Sequence, residues 1–211
     1  MALEVVMGYY GDRVVPRILN VACAMGEAGT LRRRVCDGLE GVVIEIGFGS
    51  GLNVPFYPAA VTRVDAVEPN DVGWGLAQKR LNETPVEVRR AGLDGQRLPF
   101  ADDTYDCALS TWTLCTIPDA DAALREIRRV LKPGGRLFFI EHGLAPDEKV
   151  RHWQHRMDPL QQRLFAGCHL TRPIADLITG AGFVLADVDS FYEKGAPRMM
   201  GADTLGTAVA P

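Results

Sequence analysis

The chain has no apolar run approaching the roughly 20 residues that a membrane-spanning helix needs. Its opening stretch, Met1 to Tyr10, carries neither a basic leader nor a long apolar segment, so no secretory signal is expected. A Cys-x-x-Cys pair is missing, and the five cysteines (positions 23, 36, 107, 115 and 168) are odd in number. That usage argues against a disulfide framework or a structural zinc site, and it fits a reducing cytoplasm. His152, His155 and His169 have no paired spacing with a third ligand, so no metal is expected. A basic excess is absent as well: 23 Lys and Arg face 27 Asp and Glu, a net charge of -4. Nucleic acid is therefore not an expected partner. The one basic run, Arg32-Arg33-Arg34, reads as a solvated helix face. Internal repeats and low-complexity tracts are absent too.

What is present points to a cofactor turn. At 211 residues and 47% hydrophobic, the chain is long enough for one domain with a substantial core. The run Val42-Val-Ile-Glu-Ile-Gly-Phe-Gly-Ser-Gly51 places Glu45 two residues before Gly47, then Phe48, Gly49 and Gly51. It reads as a strand followed by a glycine-rich turn, across which a nucleoside can lie against bare backbone. Glu68, with Pro69 behind it, comes twenty-one residues after Gly47 at the end of a second strand, where an acid accepts both ribose hydroxyls. The dinucleotide fingerprint sets glycines at the first, third and sixth positions of the turn. Here the sixth is Leu52, which suits S-adenosylmethionine better than NAD. A helix-terminal acid meeting the dipole is the plainer reading of Glu68.

Further signals follow in order. Ala91-Gly-Leu93-Asp94 closes a third strand, Leu98-Pro-Phe leads into Thr104-Tyr-Asp-Cys-Ala-Leu-Ser110, and Ala120 to Val130 is helical by the spacing of Ala123, Leu124, Ile127 and Leu131. Lys132-Pro-Gly-Gly135 stops that helix and Arg136 to Ile140 resumes as a strand. Residues 12 to 38 look helical around an apolar face of Val14, Ile18, Val21 and Ala22, with a break near Gly26 and Gly29. Residues 146 to 180 are helix-like and interrupted by Pro159 and Pro173, and Phe183 to Phe191 and Leu205 to Ala210 read as two last strands.

From about residue 38 to 142 this series resembles the class I S-adenosylmethionine-dependent methyltransferases. The resemblance implies an α/β, Rossmann-like, seven-stranded sheet, mostly parallel with an antiparallel last strand and helices on both faces. It implies one domain: residues 1–38 a helical lid, 39–145 the cofactor-binding core, 146–211 acceptor-side helices and closing strands. Gly47 to Gly51 would hold the methionyl part of S-adenosyl-L-methionine, Glu68 the ribose, and Leu93 and Asp94 the adenine. Ser110, Thr111, Trp112 and Thr113 would pass near the sulfonium, with Asn53 helping to seat the cofactor. A narrower resemblance, through Gly134 to His142, Trp153-Gln154, Asp158-Pro159 and Gly167-Cys-His-Leu-Thr-Arg172, is to the alkyl-thiol S-methyltransferase branch and its bacterial relatives. The animal members carry an apolar N-terminal membrane segment that is missing here, which counts against a membrane-dissolved acceptor. Glu68 stands where they tend to carry Asp.

The expected reaction is methyl transfer to a small, fairly apolar acceptor, with a thiol as the candidate. Quinone C-methylation, N-methylation of a phospholipid or other small molecule, and a non-catalytic cofactor-binding subunit are the rivals. Methyl transfer asks little of side chains, because the sulfonium is already activated and the protein mainly aligns the nucleophile. His142, ending the fifth strand, is either the catalytic base or acceptor-orienting group, or a histidine capping that strand. Tyr9, Tyr10, Trp112, Trp153, His155, Cys168 and Arg172 are the acceptor-side candidates. Tyr9 and Tyr10 either close over the cofactor or only bury the N-terminal helix. Cys107 and Cys115 flank the fourth strand as packing residues, with Cys115 a candidate to face the pocket.

Overall fold

The computed structural model describes residues 10–165 and 167–211. Seven strands form it: β1 (Gly41–Ile46), β2 (Val61–Val67), β3 (Glu87–Gly92), β4 (Tyr105–Thr111), β5 (Leu131–His142), β6 (Val184–Tyr192) and β7 (Ala202–Val209). They lie side by side in the order β3-β2-β1-β4-β5-β7-β6. Strands β1 to β5 pair in parallel, whereas β7 runs antiparallel to both β5 and β6. Continuous apolar runs at the centre make this possible: Val43, Ile44 and Ile46 are at most 1% exposed, so β1 is buried on both faces. The chain reverses its direction of growth between β1 and β4, and the crevice for a ligand opens there.

Six α-helices accompany the sheet: α1 (Val15–Ala22), α2 (Ala28–Cys36), α3 (Asp71–Glu83), α4 (Ala120–Val130), α5 (Glu148–Leu164) and α6 (Ile174–Gly180), with a π turn over Tyr10–Val14 before α1. Leu31 and Val35 of α2 pack with Val43, Val64 and Leu109 on one face of the sheet. Ala123, Leu124 and Ile127 of α4 join Ile174 and Ile178 of α6 on the other. Asn70 and Asp119 start α3 and α4 by accepting backbone N–H groups, Asn70 from Val72 and Gly73 at 2.9 Å and Asp119 from Ala122 at 2.8 Å. No helix among the described residues is long and apolar enough to cross a membrane.

Four expectations need correction. On α1 the face of Val14, Ile18 and Val21 is exposed (36%, 43% and 59%), and Val15 is the buried side chain. This short helix carries apolar residues on both sides, and periodicity cannot choose between them. Arg32 is no solvated residue: it is 6% exposed and shares the inner face of α2 with Ala28, Leu31 and Val35. Helix α5 runs through Pro159, where both Pro159 and His155 are exposed. The carbonyl that loses its partner there can turn to water. Finally, β5 begins at Leu131, and Lys132 to Gly135 bulge out between the pairs Tyr105–Leu131 and Cys107–Arg136.

Candidate functional site

Strand β1 ends at Ile46 and the chain turns sharply through Gly47 (φ +71°) and Gly49 (φ +58°). Side chains are excluded here for two reasons: the left-handed backbone disfavours a Cβ, and at Gly47 a Cβ would fall inside the Thr113 side chain. The Gly49 N–H donates to Glu68 Oε2 at 2.6 Å and the Asn70 N–H to Glu68 Oε1 at 2.7 Å. Glu68 is thereby fixed at the carboxyl end of β2 with lone pairs to spare. Burial pushes its carboxyl above the ordinary glutamate value, and the two backbone bonds and Arg90 oppose that.

Three cavities meet at the carboxyl ends of the central strands. The first, about 300 Å³, has Gly47, Gly49, Glu68, Arg32, Thr111 and Trp112 in its wall. The second, about 360 Å³, takes in Gly47, Glu68, Pro69, Leu93, Asp94 and Thr113. The third, about 250 Å³, is lined by Cys23, Trp112, Cys115, His142, Phe165 and Cys168 among others. Thr116 borders all three, and Trp112 separates the first from the third. Trp112 keeps that place at φ +50°, a strained backbone for a bulky residue, with its N–H on the Ile140 carbonyl at 2.7 Å. A further groove by Asp102, Arg129 and Pro133 opens at the amino ends of the strands and holds none of the expected residues.

A charged network braces the glycine turn from behind. Glu45 accepts Asn53 Nδ2 at 2.9 Å and the Tyr57 hydroxyl, and Arg32 Nη1 donates to Asn53 Oδ1 at 2.7 Å and Thr111 Oγ1 at 3.2 Å. Burial raises the Glu45 carboxyl to about 7, against the pull of Tyr57, Asn53 and Arg32. The Arg32 guanidinium stacks 4.7 Å over the Trp112 ring, while its Nε meets no partner among the described residues.

At the third cavity, His142 Nδ1 stands 2.7 Å from Asp203 Oδ1. The contact is an ion pair in distance, since the Nδ1–H does not point along the line to the oxygen. Trp112 Nε1 donates to the same Asp203 oxygen at 3.3 Å. Burial works against the imidazolium, but Asp203 outweighs it and carries His142 to about 9. Cys168 Sγ lies 3.7 Å from Cys115 Sγ. The Cys115 contact and the His142 cation draw the Cys168 thiol down against burial, and the same contact and burial push Cys115 up.

The structure thus gathers Gly47, Phe48, Gly49, Glu68, Pro69, Leu93, Asp94, Thr111, Trp112 and Thr113 around the first two cavities, and His142 and Cys168 at the third. Others move away from them. Glu45, Gly51 and Asn53 stand behind the turn, outside the cavity walls, and Ser110 donates to Glu141 at 2.6 Å in the core. Trp153 (56% exposed) and His155 face outward from α5, and Tyr10 is outside the linings. Arg172 grips the Leu114 and Pro118 carbonyls, bracing the β4–α4 loop. Tyr9 lies outside the described residues. Sequence reasoning missed Arg32 and Asp203. A charged residue on the apolar face of α2 was the available signal for Arg32, and a lone acid sixty-one residues past His142 gave none.

Residues 44–139 match the family described as a methyltransferase domain. Human thiol S-methyltransferase TMT1A is 33% identical over 147 residues, which are 67% of this chain and 59% of the relative. The chain therefore spans about three fifths of that relative's length. The ubiquinone/menaquinone biosynthesis C-methyltransferase UbiE of Desulfotalea psychrophila is 27% identical over 206 residues, covering 84% of this chain and 79% of the relative. Among solved structures, a putative methyltransferase from Bacillus halodurans superposes with a TM-score of 0.70 at 15% identity, over 88% of this chain and 100% of that one. At that identity the likeness concerns the fold.

Proposed function

We propose, on the premise that residues 44–139 are a methyltransferase domain, that this chain transfers a methyl group from S-adenosyl-L-methionine to a small, largely apolar acceptor, a thiol before any other. S-adenosyl-L-methionine is the cofactor of that family and fold. The observation that carries the reading is that the three cavities adjoin at Thr116, with a glycine turn and a fixed acid at one end and a cation at the other.

When bound, the cofactor supplies a methyl group already activated on a sulfonium. In this reading Glu68 receives the ribose hydroxyls, the backbone of Gly47 to Gly49 lies under the methionyl part, and Leu93 and Asp94 flank the adenine. Arg32 lines the same cavity and sets a guanidinium there for the cofactor carboxylate, a match of charge. Thr111, Thr113 and Trp112 form the passage to the acceptor and exclude water from it.

At the acceptor end, His142 stays protonated up to about pH 9, so at neutral pH it is a cation and no general base. A cation beside the acceptor favours the thiolate of an incoming thiol, whose unperturbed pKa is about 8.5. It works against a protonated amine. The thiol preference also draws on the activity named for TMT1A. C-methylation of a quinol is the second reading, favoured by the match to UbiE over 84% of the chain, because the same cation suits a phenolate.

The test is transfer of labelled methyl from S-adenosylmethionine to a panel of small thiols, quinols, phenols and amines, with products identified by mass. Methylated thiols are expected. Turnover of quinols alone would replace the acceptor, and tight cofactor binding without any product would make the chain a binding subunit.

A further inference from the structure

Cys115 and Cys168 are two thiols on one wall of the acceptor cavity, and nothing in methyl transfer requires a pair. Their sulfurs are 3.7 Å apart, with Cys115 1% and Cys168 7% exposed. The backbones are held side by side: the His169 N–H donates to the Cys115 carbonyl at 2.8 Å, and Asp158 Oδ1 takes the Leu170 N–H at 2.6 Å. A bond between the sulfurs needs them to close from 3.7 Å to about 2.05 Å. Among the described residues no three His, Cys, Asp or Glu side chains are placed to hold a metal ion. The pair is therefore left with sulfur chemistry.

We infer that Cys115 and Cys168 form a dithiol that exchanges with small apolar disulfides entering the acceptor cavity, releasing the thiol beside His142. The idea rests on the reading of this cavity as one for small apolar sulfur compounds. Cys168 is the attacking sulfur because it is the more exposed of the two, 7% against 1%, in the cavity that His142 lines, and the thiolate is the reactive form. Cys115, the more deeply buried, is the resolving sulfur. The Cys168 thiolate attacks one sulfur of R–S–S–R, that S–S bond breaks, and R–S⁻ leaves to take up a proton from solvent. Cys115 then attacks the Cys168 sulfur of the mixed disulfide, expels the second R–S⁻ and passes its own proton to it. The organic disulfide is reduced to two thiols and the protein dithiol is oxidised to one disulfide. An external thiol must reduce the protein before the next exchange. Of the remaining cysteines, Cys36 and Cys107 lie in the core, and Cys23, which shares the cavity wall, has its thiol raised by burial.

The experiment uses the reduced full chain without cofactor and 2,2′-dithiodipyridine as the probe, following released thiopyridone by absorbance and the protein by intact mass. A fast release of two equivalents is expected, with a protein lighter by two hydrogens and a Cys115–Cys168 bridge on peptide mapping. Cys115→Ser should stop at one equivalent with the adduct held on Cys168, and Cys168→Ser should lose the fast phase. A fast phase surviving in Cys168→Ser, adducts on both cysteines with no bridge, or no fast phase in the wild type would overturn the inference. The wild-type stoichiometry and mass decide the matter even if a variant does not fold. Thiol methylation is measured separately, so a bridge without methylated thiols overturns the acceptor and leaves the dithiol.

Discussion

Glu68 shows how one carboxylate can hold a turn and still face a ligand. Its oxygens each accept one backbone N–H, which uses only part of what a carboxylate can take. Replacing it by Ala is expected to weaken S-adenosylmethionine binding by about 1.5–3 kcal/mol, the range for hydrogen bonds to a charged group. Calorimetry reads this directly, and unchanged affinity would move the ribose elsewhere. Asp203 works through His142 and is a positioning residue. Without its charge, His142 falls from about 9 toward its ordinary 6.5. In Asp203→Asn the alkaline limb of the kcat/KM profile should therefore move to lower pH, with cofactor affinity little changed. An unshifted limb would mean that His142 does not govern the acceptor.

At the scale of the element, α5 is tied to its surroundings by a buried glutamine. Gln154, 1% exposed, accepts the Ala145 N–H at 2.9 Å and donates to the Gly143 and Met199 carbonyls at 3.0 and 3.2 Å. It thus ties α5 both to the end of β5 and to the loop before β7. Gln154→Ala strands two buried polar groups and one half-buried carbonyl, and a loss of about 2–4 kcal/mol is expected in denaturant unfolding. A change below 0.5 kcal/mol, the usual range for surface substitutions, would show that α5 is held otherwise. The Trp153-Gln154 and Gly167 to Arg172 motifs marked the acceptor side in the sequence, but only part of each enters the cavity. Gln154 and Arg172 brace its walls, Cys168 enters it, and Trp153 faces water. Strands and the glycine turn were legible because their pattern is local: apolar runs, positive-φ glycines and an acid at a strand end. The roof was not, because it depends on contacts such as Asp203 with Trp112, ninety-one residues apart.

For the whole molecule, the His142–Asp203 pair adds a stability that depends on pH. The folded-state pKa of His142 is above its unfolded value, so the gain is complete below pH 6.5 and lost as pH rises through about 9. On the order of 2–3 kcal/mol should separate wild type from Asp203→Asn at pH 6 and fade by pH 10. Thermal melts across that range provide the check, and a constant difference would deny the pair its charge. The parallel part of the sheet was readable from the alternation of strands and helices, but the start of β7 was not. It begins at Ala202, three residues before the apolar run that suggests it, and so takes in Asp203. That strand is the last along the chain, yet it is inserted between β5 and β6 and pairs with both. During synthesis, β1 to β5 and the cofactor turn can assemble while β6 still has no neighbour to join. Only when residues 202–209 emerge from the ribosome does the gap close and bring a carboxylate to His142. Of the described strands β7 is the last to be synthesised, so the carboxylate that meets His142 arrives only after every strand beside the glycine turn is in place.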